Sequence, residues 1–237
     1  MSAPRAARDE RDGCAARGAT PALLEVTDLS CTFEGAKTPT FEQVNLRLDA
    51  GELLFLRGPS GCGKSTLARI IAGVIPRTIP ARISGRVLLA GTAPGDYTLA
   101  ERVQTVGIVF QRPDQQLFLP TVEDELAFGC ENLCLPAVEI ERRITETLEL
   151  LDIVDLRSAE VAALSGGQLH LVACAAVLTM RPRLLIADEL LSQLDAHYRA
   201  RASEALARHA QRGGAVLAID HGVAPDGARA EVLGCGA

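Results

Sequence analysis

One nine-residue segment constrains the fold of this chain more than any other. Residues 58–66 read Gly-Pro-Ser-Gly-Cys-Gly-Lys-Ser-Thr and fit the pattern G-x-x-x-x-G-K-[S/T]. Residues 52–57 form a short, mostly apolar run typical of a strand, and residues 65–72 have the spacing of a helix. A strand, a glycine-rich turn and a helix in this order predict a loop whose backbone N–H groups surround phosphate oxygens.

Phosphate chemistry explains the residue types in this segment, which is called the P-loop below. Its glycines let the backbone curl, Lys64 offers a compact ammonium to the β and γ phosphates, and Ser65 offers a hydroxyl to Mg²⁺. Of 24 basic residues only Lys37 and Lys64 are lysines, so a lysine here is informative. A chance glycine-rich turn would match in roughly one or two such chains per thousand. The predicted nucleotide contacts are Gly58, Pro59, Ser60, Gly61, Cys62, Gly63, Lys64, Ser65 and Thr66.

Composition narrows the class of protein further. Hydrophobic residues make up 48% of the 237 residues, but aromatic residues only 3%, which predicts an aliphatic core of helices packed on a sheet. The net charge of −6 argues against a nucleic-acid partner. No apolar run approaches the ~20 residues needed to cross a bilayer, so we expect membrane contact only through a partner. Residues 1–22 lack the apolar stretch of a secretory leader, and we expect a disordered tail before one domain at 23–237.

The order of apolar runs predicts two kinds of sheet. Closely spaced strands before the first helix indicate an antiparallel β region, and two purely apolar runs near the end indicate parallel strands buried on both faces. A turn is expected between residues 89 and 106. The predicted strands cover 24–29, 44–48, 52–57, 84–89, 106–110, 184–187 and 215–219, and the predicted helices 65–72, 122–128, 140–151, 168–179 and 199–211.

Two carboxylates follow the apolar run at residues 184–187. Asp188 stands at the predicted strand end, where it would hold Mg²⁺ through water beside the P-loop. Glu189 would polarise the attacking water, a role typically worth ~10²–10⁴ in rate. A buried strand followed by acidic turn residues is an equally good reading of this segment taken alone.

A second glycine-containing element precedes the predicted helix at 168–179. Ser165, Gly166, Gly167 and Gln168 combine a hydroxyl, two bare backbone units and a helix N-terminus, which together suit a phosphate. The alternative is a helix N-cap at Ser165. Two glycines are a costly way to begin a helix unless another group approaches the backbone closely.

From about residue 23 to about 234, the order of these motifs resembles the ATP-binding subunits of ATP-binding-cassette (ABC) transporters. The resemblance implies an α/β fold of the P-loop NTPase class, with a RecA-like core, an antiparallel β region and an α-helical subdomain at about 112–180. It also implies ATP and Mg²⁺ as ligands. In that family two subunits, identical or not, form a head-to-tail dimer, and the Ser-Gly-Gly-Gln element of one closes on the γ-phosphate held by the other.

Four more residues match motifs of the family in order. Gln111 resembles the glutamine that contacts Mg²⁺ and the attacking water, and His221 the switch histidine that touches the γ-phosphate. Asp195 ends a segment that resembles the loop crossing the dimer interface. Phe33 stands where the family places an aromatic ring against adenine, although it could equally be a core residue. A lone histidine is more often structural, and the position of His221 after the strand at 215–219 is what favours the functional role.

One stretch resembles a particular branch of the family, the energy-coupling-factor importers. Residues 110–118 read FQRPDQQLF, residues 121–129 read TVEDELAFG, and Glu131 and Asn132 follow. The resemblance implies a subunit at the cytoplasmic face of the cell membrane that works with a transmembrane coupling subunit and a small substrate-binding membrane protein. Its cargo would be a vitamin or a transition-metal ion.

The segment 112–132 also carries four apolar side chains: Leu117, Phe118, Leu119 and Phe128. They either pack inside the helical subdomain or leave a groove, lined by residues 117–119, for short helices of the transmembrane subunit. Two rivals to the importer remain, a soluble ATPase that clamps nucleic acid or ribosomes and a regulatory module that does not hydrolyse ATP. The acidic net charge argues against the first, and the Asp-Glu pair against the second.

The chain departs from the family pattern at three places. After Gln168 the family usually has polar or basic residues, but here stand Leu169, His170 and Leu171. After Glu189 it usually has Pro-Thr, but here stand two leucines. Few residues follow His221, so we expect shortened final strands. These departures leave open how the helix after Gln168 is anchored.

Overall fold

Two β-sheets and six α-helices make up the described part of the chain. The computed structural model describes residues 22–220 and 228–233. The strands are β1 Leu24–Phe33, β2 Phe41–Leu48, β3 Leu53–Arg57, β4 Ala81–Leu89, β5 Val106–Val109, β6 Leu184–Asp188, β7 Ala215–Ile219 and β8 Arg229–Val232. The helices are α1 Lys64–Ile71, α2 Leu99–Thr105, α3 Val122–Asn132, α4 Ala137–Leu151, α5 Gly166–Thr179 and α6 Ala196–Gln211.

The larger sheet places the motifs at one edge. Its five strands run parallel in the order β5-β6-β7-β3-β8. Every residue of β6 and β7 is buried, as the apolar runs 184–187 and 215–219 predict, and Asp188 at the end of β6 is buried with them. The P-loop follows β3 and the two carboxylates stand at the end of β6, with β7 between them. Because all the strands point the same way, both motifs lie at the carboxyl edge, where open α/β sheets bind ligands.

The smaller sheet confirms the expected antiparallel region, with strand order β2-β1-β4. One buried cluster lies between this sheet, α1 and one face of the parallel sheet, and includes Phe41, Leu67 and Ile186. A second cluster joins the other face to the later helices. The core is predominantly aliphatic, in agreement with the composition, and Phe41 and Phe55 are its buried aromatic residues among those described.

The helices α3, α4 and α5 lie within the range predicted for the helical subdomain. Nine of the fourteen residues of α5 are buried, which suits a helix that other helices surround. Leu126 of α3, Leu148 of α4 and Leu171 of α5 share the second cluster. Leu171, one of the departures from the family pattern, is therefore a core residue. No helix among residues 22–220 and 228–233 is both long and apolar enough to cross a bilayer.

Two elements escaped the sequence analysis. The expected turn between residues 89 and 106 contains α2, of which only Thr105 is buried, so it has no apolar stripe to reveal it. Its one signal is a capping box formed by Thr98 and Glu101. The short, exposed edge strand β8 agrees with the shortened final strands expected after His221, but no range was predicted for it. The expected disordered tail lies outside the described residues, apart from its last position, which is buried.

Candidate active site

Crowding and backbone geometry explain the glycines of the P-loop. Gly61 and Gly63 have φ of 82° and 94°, values that favour glycine. A Cβ on Gly63 would lie 2.7 Å from a ring carbon of Phe41. Gly58 has φ of 155°, and a Cβ there would lie 2.6 Å from the carbonyl oxygen of Leu233. Crowding therefore excludes a side chain at Gly58 and Gly63, and the backbone conformation at Gly61 favours glycine.

Lys64 lies against the P-loop itself. It is 5% exposed, and its Nζ donates hydrogen bonds to the carbonyl oxygens of Gly58 at 2.8 Å and Pro59 at 2.9 Å. Cys62 is buried beside it, whereas Pro59 and Ser60 lie on the more accessible rim. Helix α1 begins at Lys64, so its N-terminus and the ammonium group point positive charge at the same place.

Ser65 and Asp188 form the second part of the site. The hydroxyl of Ser65 donates a hydrogen bond to Oδ1 of Asp188 at 3.0 Å and joins the P-loop to the end of β6. Asp188 is fully buried, and its Oδ2 has no hydrogen-bond partner among residues 22–220 and 228–233. Burial raises the pKa of this carboxyl, and the hydrogen bond from Ser65 opposes the rise.

This pair has the chemistry that Mg²⁺ requires. Mg²⁺ prefers oxygen ligands and is usually held by one or two carboxylates, waters and the phosphates of a substrate. The orphaned oxygen of Asp188 and the Ser65 hydroxyl fit that set. No group of three His, Cys, Asp or Glu side chains that could hold a metal ion by itself occurs in the described residues.

Glu189 stands next to this pair in an uncommon backbone conformation. Its φ is 56°, which is unusual for a residue other than glycine and places it at a sharp turn out of β6. Its N–H donates to the carbonyl oxygen of Ile219 at 2.8 Å. The side-chain amide of Gln111 donates to Oε2 of Glu189 at 2.5 Å. The structure thus brings together two residues that lie 78 positions apart in sequence.

The second glycine-containing element begins a helix. Ser165 is the N-cap of α5, and it forms a capping box with Gln168. The predicted helix N-cap at Ser165 is therefore present, but a cap does not explain the two glycines that follow it. Neither Gly166 nor Gly167 has a positive φ, and a Cβ on either would meet no heavy atom of the described chain within 4 Å. The residues that the structure describes therefore do not require glycine at these positions.

The structure describes two of the three remaining predicted residues, Asp195 and Phe33. Asp195 is the N-cap of α6, where its carboxylate accepts a hydrogen bond from the N–H of Tyr198 at 2.9 Å. Phe33 ends β1 and is partly buried against the first core cluster. His221 lies outside the described residues. No interaction of Asp195 or Phe33 with a nucleotide follows from these contacts, and their functional roles stay predictions.

Two residues that the sequence analysis did not single out support the site. Asp220 is buried and accepts a hydrogen bond from the N–H of Ser192 at 2.8 Å, while the Ser192 hydroxyl donates to the carbonyl oxygen of Glu189 at 3.0 Å. Arg199 donates to the carbonyl oxygens of Leu191 at 2.9 Å and Leu194 at 2.7 Å. These bonds brace the loop after Glu189. Asp220 could have been predicted from the sequence, because it is an acidic residue directly after the apolar run at 215–219.

Known proteins resemble the chain in sequence. The ABC transporter family model matches residues 41–192. A Methanosarcina acetivorans protein, provisionally named an ABC transporter ATP-binding protein, is 41% identical over 173 residues, covering 73% of this chain and 27% of that protein. YkoD of Bacillus subtilis, provisionally named an HMP/thiamine import ATP-binding protein, is 42% identical over 202 residues, covering 84% and 37%. This chain therefore spans well under half the length of these two relatives.

Solved structures show the same architecture. The structure of cbiO1 from Clostridium perfringens, part of the ABC transporter complex cbiONQ, has a TM-score of 0.71 and 31% identity, covering 85% of this chain and 79% of that one. A dimeric structure of MJ0796, a bacterial ABC transporter cassette, has a TM-score of 0.77 over 90% and 95%, and at 24% identity it supports the fold alone. The predicted fold class, a P-loop NTPase of the ABC type, is confirmed. With a family model matching well over half of its length, this chain belongs to the ABC transporter family.

Proposed function

We propose that this chain is the ATP-binding and ATP-hydrolysing subunit of an ABC importer of the energy-coupling-factor type. The observation that carries the proposal is the convergence of two pairs at the carboxyl edge of the sheet. Ser65 bonds Asp188 at 3.0 Å, and Gln111 bonds Glu189 at 2.5 Å. A phosphate loop, an oxygen pair suited to Mg²⁺ and a carboxylate for water are the parts that phosphoryl transfer to water needs.

Each group has a defined part in the proposed reaction. The P-loop N–H groups and Lys64 bind the β and γ phosphates, and Ser65 and Asp188 would hold Mg²⁺ through oxygen ligands. When bound, Mg²⁺ would neutralise charge on those phosphates. Glu189 accepts a proton from the attacking water, which Gln111 helps to orient. His221 is proposed to touch the γ-phosphate and Phe33 to stack on the adenine.

The glycines of the α5 N-terminus support a shared site. A Cβ at Gly166 or Gly167 would meet no heavy atom of residues 22–220 and 228–233 within 4 Å, so this bare backbone is suited to close approach by a group from outside. We propose that this group is the γ-phosphate held by the P-loop of a second subunit. Ser165 and Gln168 would shape the turn, and Asp195 would lie near the interface. The second subunit is either this chain or a close relative.

Mixing two damaged chains tests the shared site. Gly167→Asp places a carboxylate at the second position of α5, where an acidic residue suits the helix and has open space, but where it would repel a phosphate from the partner. In a mixture of Lys64→Ala and Gly167→Asp chains, about half of the dimers hold one intact site. We expect the ATPase rate of the mixture to exceed that of either variant alone several-fold. A steady-state phosphate-release assay measures it.

The control uses a chain that carries both changes. Mixed with Lys64→Ala, it can form no intact site in either arrangement, so no recovery is expected. If the informative mixture recovers nothing, ATP-dependent dimer formation decides between the explanations. A Gly167→Asp chain that still dimerises on ATP like the unmodified chain would contradict the shared site.

The groove expected for a transmembrane subunit has a counterpart in the structure. A cavity of about 630 Å³ lies between α2 and α3, lined by Leu99, Val103, Phe118, Phe128, Leu133 and Met180. Phe118 is 66% exposed and Phe128 40% exposed, and their rings form an edge-to-face pair with centroids 5.0 Å apart. Exposed aromatic residues beside an apolar cavity mark an interaction site.

The four apolar residues of segment 112–132 differ in burial. Leu117 is buried, Phe118 and Phe128 are exposed, and Leu119, expected to line the groove, is half-buried and does not line the cavity. Leu117 is 8% exposed and belongs to the core, although it also borders the cavity. The N–H groups of Phe118 and Leu119 both donate to Oε1 of the buried Glu125, which fixes the backbone next to Leu117. The segment follows Gln111 directly, so a shift at the nucleotide could reach the groove. We propose that short helices of a transmembrane coupling subunit dock here.

A double substitution of the exposed aromatics tests docking. Phe118→Ser with Phe128→Ser should leave ATP binding unchanged but reduce co-sedimentation with membranes that contain the partner at least about tenfold, because aromatic residues often dominate binding energy. Val138→Ser is the matched control, since Val138 is 82% exposed on α4 outside this groove. If the double variant still sediments with membranes and supports uptake, the docking assignment is wrong. The soluble-clamp alternative then regains support.

The names of two relatives support an importer. The name of YkoD refers to HMP/thiamine import, and cbiO1 is part of the cbiONQ complex. By analogy we propose that this chain works at the cytoplasmic face of the membrane with a coupling subunit and a small substrate-binding membrane protein. The cargo class proposed is a vitamin or a transition-metal ion.

A further inference from the structure

His170 joins two segments of the proposed site. It lies in the second turn of α5 and is 8% exposed. Its Nδ1 is 2.8 Å from the carbonyl oxygen of Gly166, and its Nε2 is 3.2 Å from the carbonyl oxygen of Gln111, 59 residues away in sequence. Whichever nitrogen carries the proton, at least one carbonyl receives a hydrogen bond and the ring fills the space between the segments.

The two segments face different nucleotides in the proposed dimer. Gln111 belongs to the site of its own subunit, where its side chain holds Glu189 at 2.5 Å. Gly166 belongs to the helix start that would meet the nucleotide of the partner. In the described residues, the His170 ring lies between these segments, with one ring nitrogen facing each carbonyl oxygen. A displacement of the Gln111 backbone would therefore displace Gly166 through the His170 ring, and a displacement of Gly166 would likewise displace Gln111.

We propose that His170 is a positioning residue that couples the two nucleotide sites of the dimer. It fixes the distance between the Gln111 backbone and the first turn of α5, so that Gln111 and Glu189 keep the geometry that hydrolysis needs. This inference rests on the proposed function. The alternative explanation is that His170 has only a packing role at a buried position in α5.

A series of substitutions separates the two readings. His170→Leu keeps the bulk but removes both polar contacts, His170→Asn can reach only the Gly166 carbonyl, and His170→Gln can reach the Gln111 carbonyl. We expect kcat for ATP to fall about tenfold in the Leu and Asn variants and to return to within about threefold in the Gln variant, because small misplacements of catalytic groups are costly. KM for ATP should change less than about twofold, since the P-loop is untouched.

Two controls make this series decisive. Cys174→Ala removes another buried side chain one turn along α5 and should leave kcat unchanged. In a Gln111→Ala background, His170→Leu should cause no further loss of kcat, because coupled residues give non-additive effects. An equal loss in both backgrounds, or a Gln variant as slow as the Leu variant, would reduce His170 to a packing role.

Hydrogen exchange without nucleotide tests the link apart from catalysis. Amides of residues 111–117 and 166–170 should exchange faster in His170→Leu than in the unmodified chain or in Cys174→Ala, since the bridge between the segments is gone. Unchanged exchange in both segments would overturn the proposal whatever the ATPase assay gives. If the unmodified chain hydrolyses no ATP, the proposed function fails, while faster exchange would still establish the link.

Discussion

A chain carrying Glu189→Gln is expected to bind ATP normally, to lose at least ~10² in turnover and to accumulate as an ATP-bound dimer. The substitution keeps size and shape. The carbonyl oxygen of the substituted side chain can still accept the hydrogen bond from the Gln111 amide, which lies 2.5 Å from the native carboxylate. The substitution removes the group that would take a proton from water. ATP binding and dimer formation should therefore persist while hydrolysis stops.

Three measurements check this result on one protein preparation. Equilibrium binding gives the affinity for ATP, single-turnover assays give the rate of the chemical step, and size-exclusion chromatography with ATP and Mg²⁺ gives the dimer. Glu204→Gln on the exposed face of α6, where Glu204 pairs with Arg208, is the matched control and should behave like the unmodified chain. Hydrolysis at the normal rate in Glu189→Gln would remove Glu189 from the role of base.

Lys64→Ala should instead weaken ATP binding itself, by about 10- to 100-fold in Kd, because hydrogen bonds to charged groups are worth ~1.5–3 kcal/mol. The structure adds a second reason. Nζ of Lys64 donates to the carbonyl oxygens of Gly58 and Pro59, so its removal leaves two loop carbonyls without this donor. Both the contact to the phosphates and the shape of the loop are lost together.

Lys37 provides the matched control, since it is the other lysine of the chain and is exposed between β1 and β2. Lys37→Ala should bind ATP as the unmodified chain does in a titration followed by calorimetry. Melting curves of both variants show whether the fold is intact. An unchanged ATP affinity in a folded Lys64→Ala chain would contradict the phosphate-binding role of the P-loop.

The parts of the fold predicted from sequence are those with strong local signals. The P-loop was recognisable because crowding at Gly58 and Gly63 and the charge of Lys64 leave few other residues that would serve. The strands β6 and β7 were recognisable because burial on both faces demands an unbroken apolar run. The meeting of Ser65 with Asp188 followed from the direction of parallel strands.

The parts that were missed depend on contacts between distant segments. Helix α2 buries little and is set by its capping box, and the edge strand β8 is short and exposed. The inward position of Leu117 and outward position of Phe118 depend on Glu125, several residues further on. The link through His170 joins α5 to a residue 59 positions earlier. No local periodicity encodes such a contact.

The order of strands in the parallel sheet has a consequence for synthesis of the protein. β3, which leads into the P-loop, pairs with β7 in a register that joins Leu53 to Val216. At ~5–20 residues per second, the ribosome needs on the order of 10–30 s to make the residues between these partners. During that time β3 has neither this neighbour nor β8, its partner on the other side. The nascent chain therefore gains its nucleotide pocket only after β7 has been synthesised, and until then the apolar residues of β3 can be covered only by segments that precede β7.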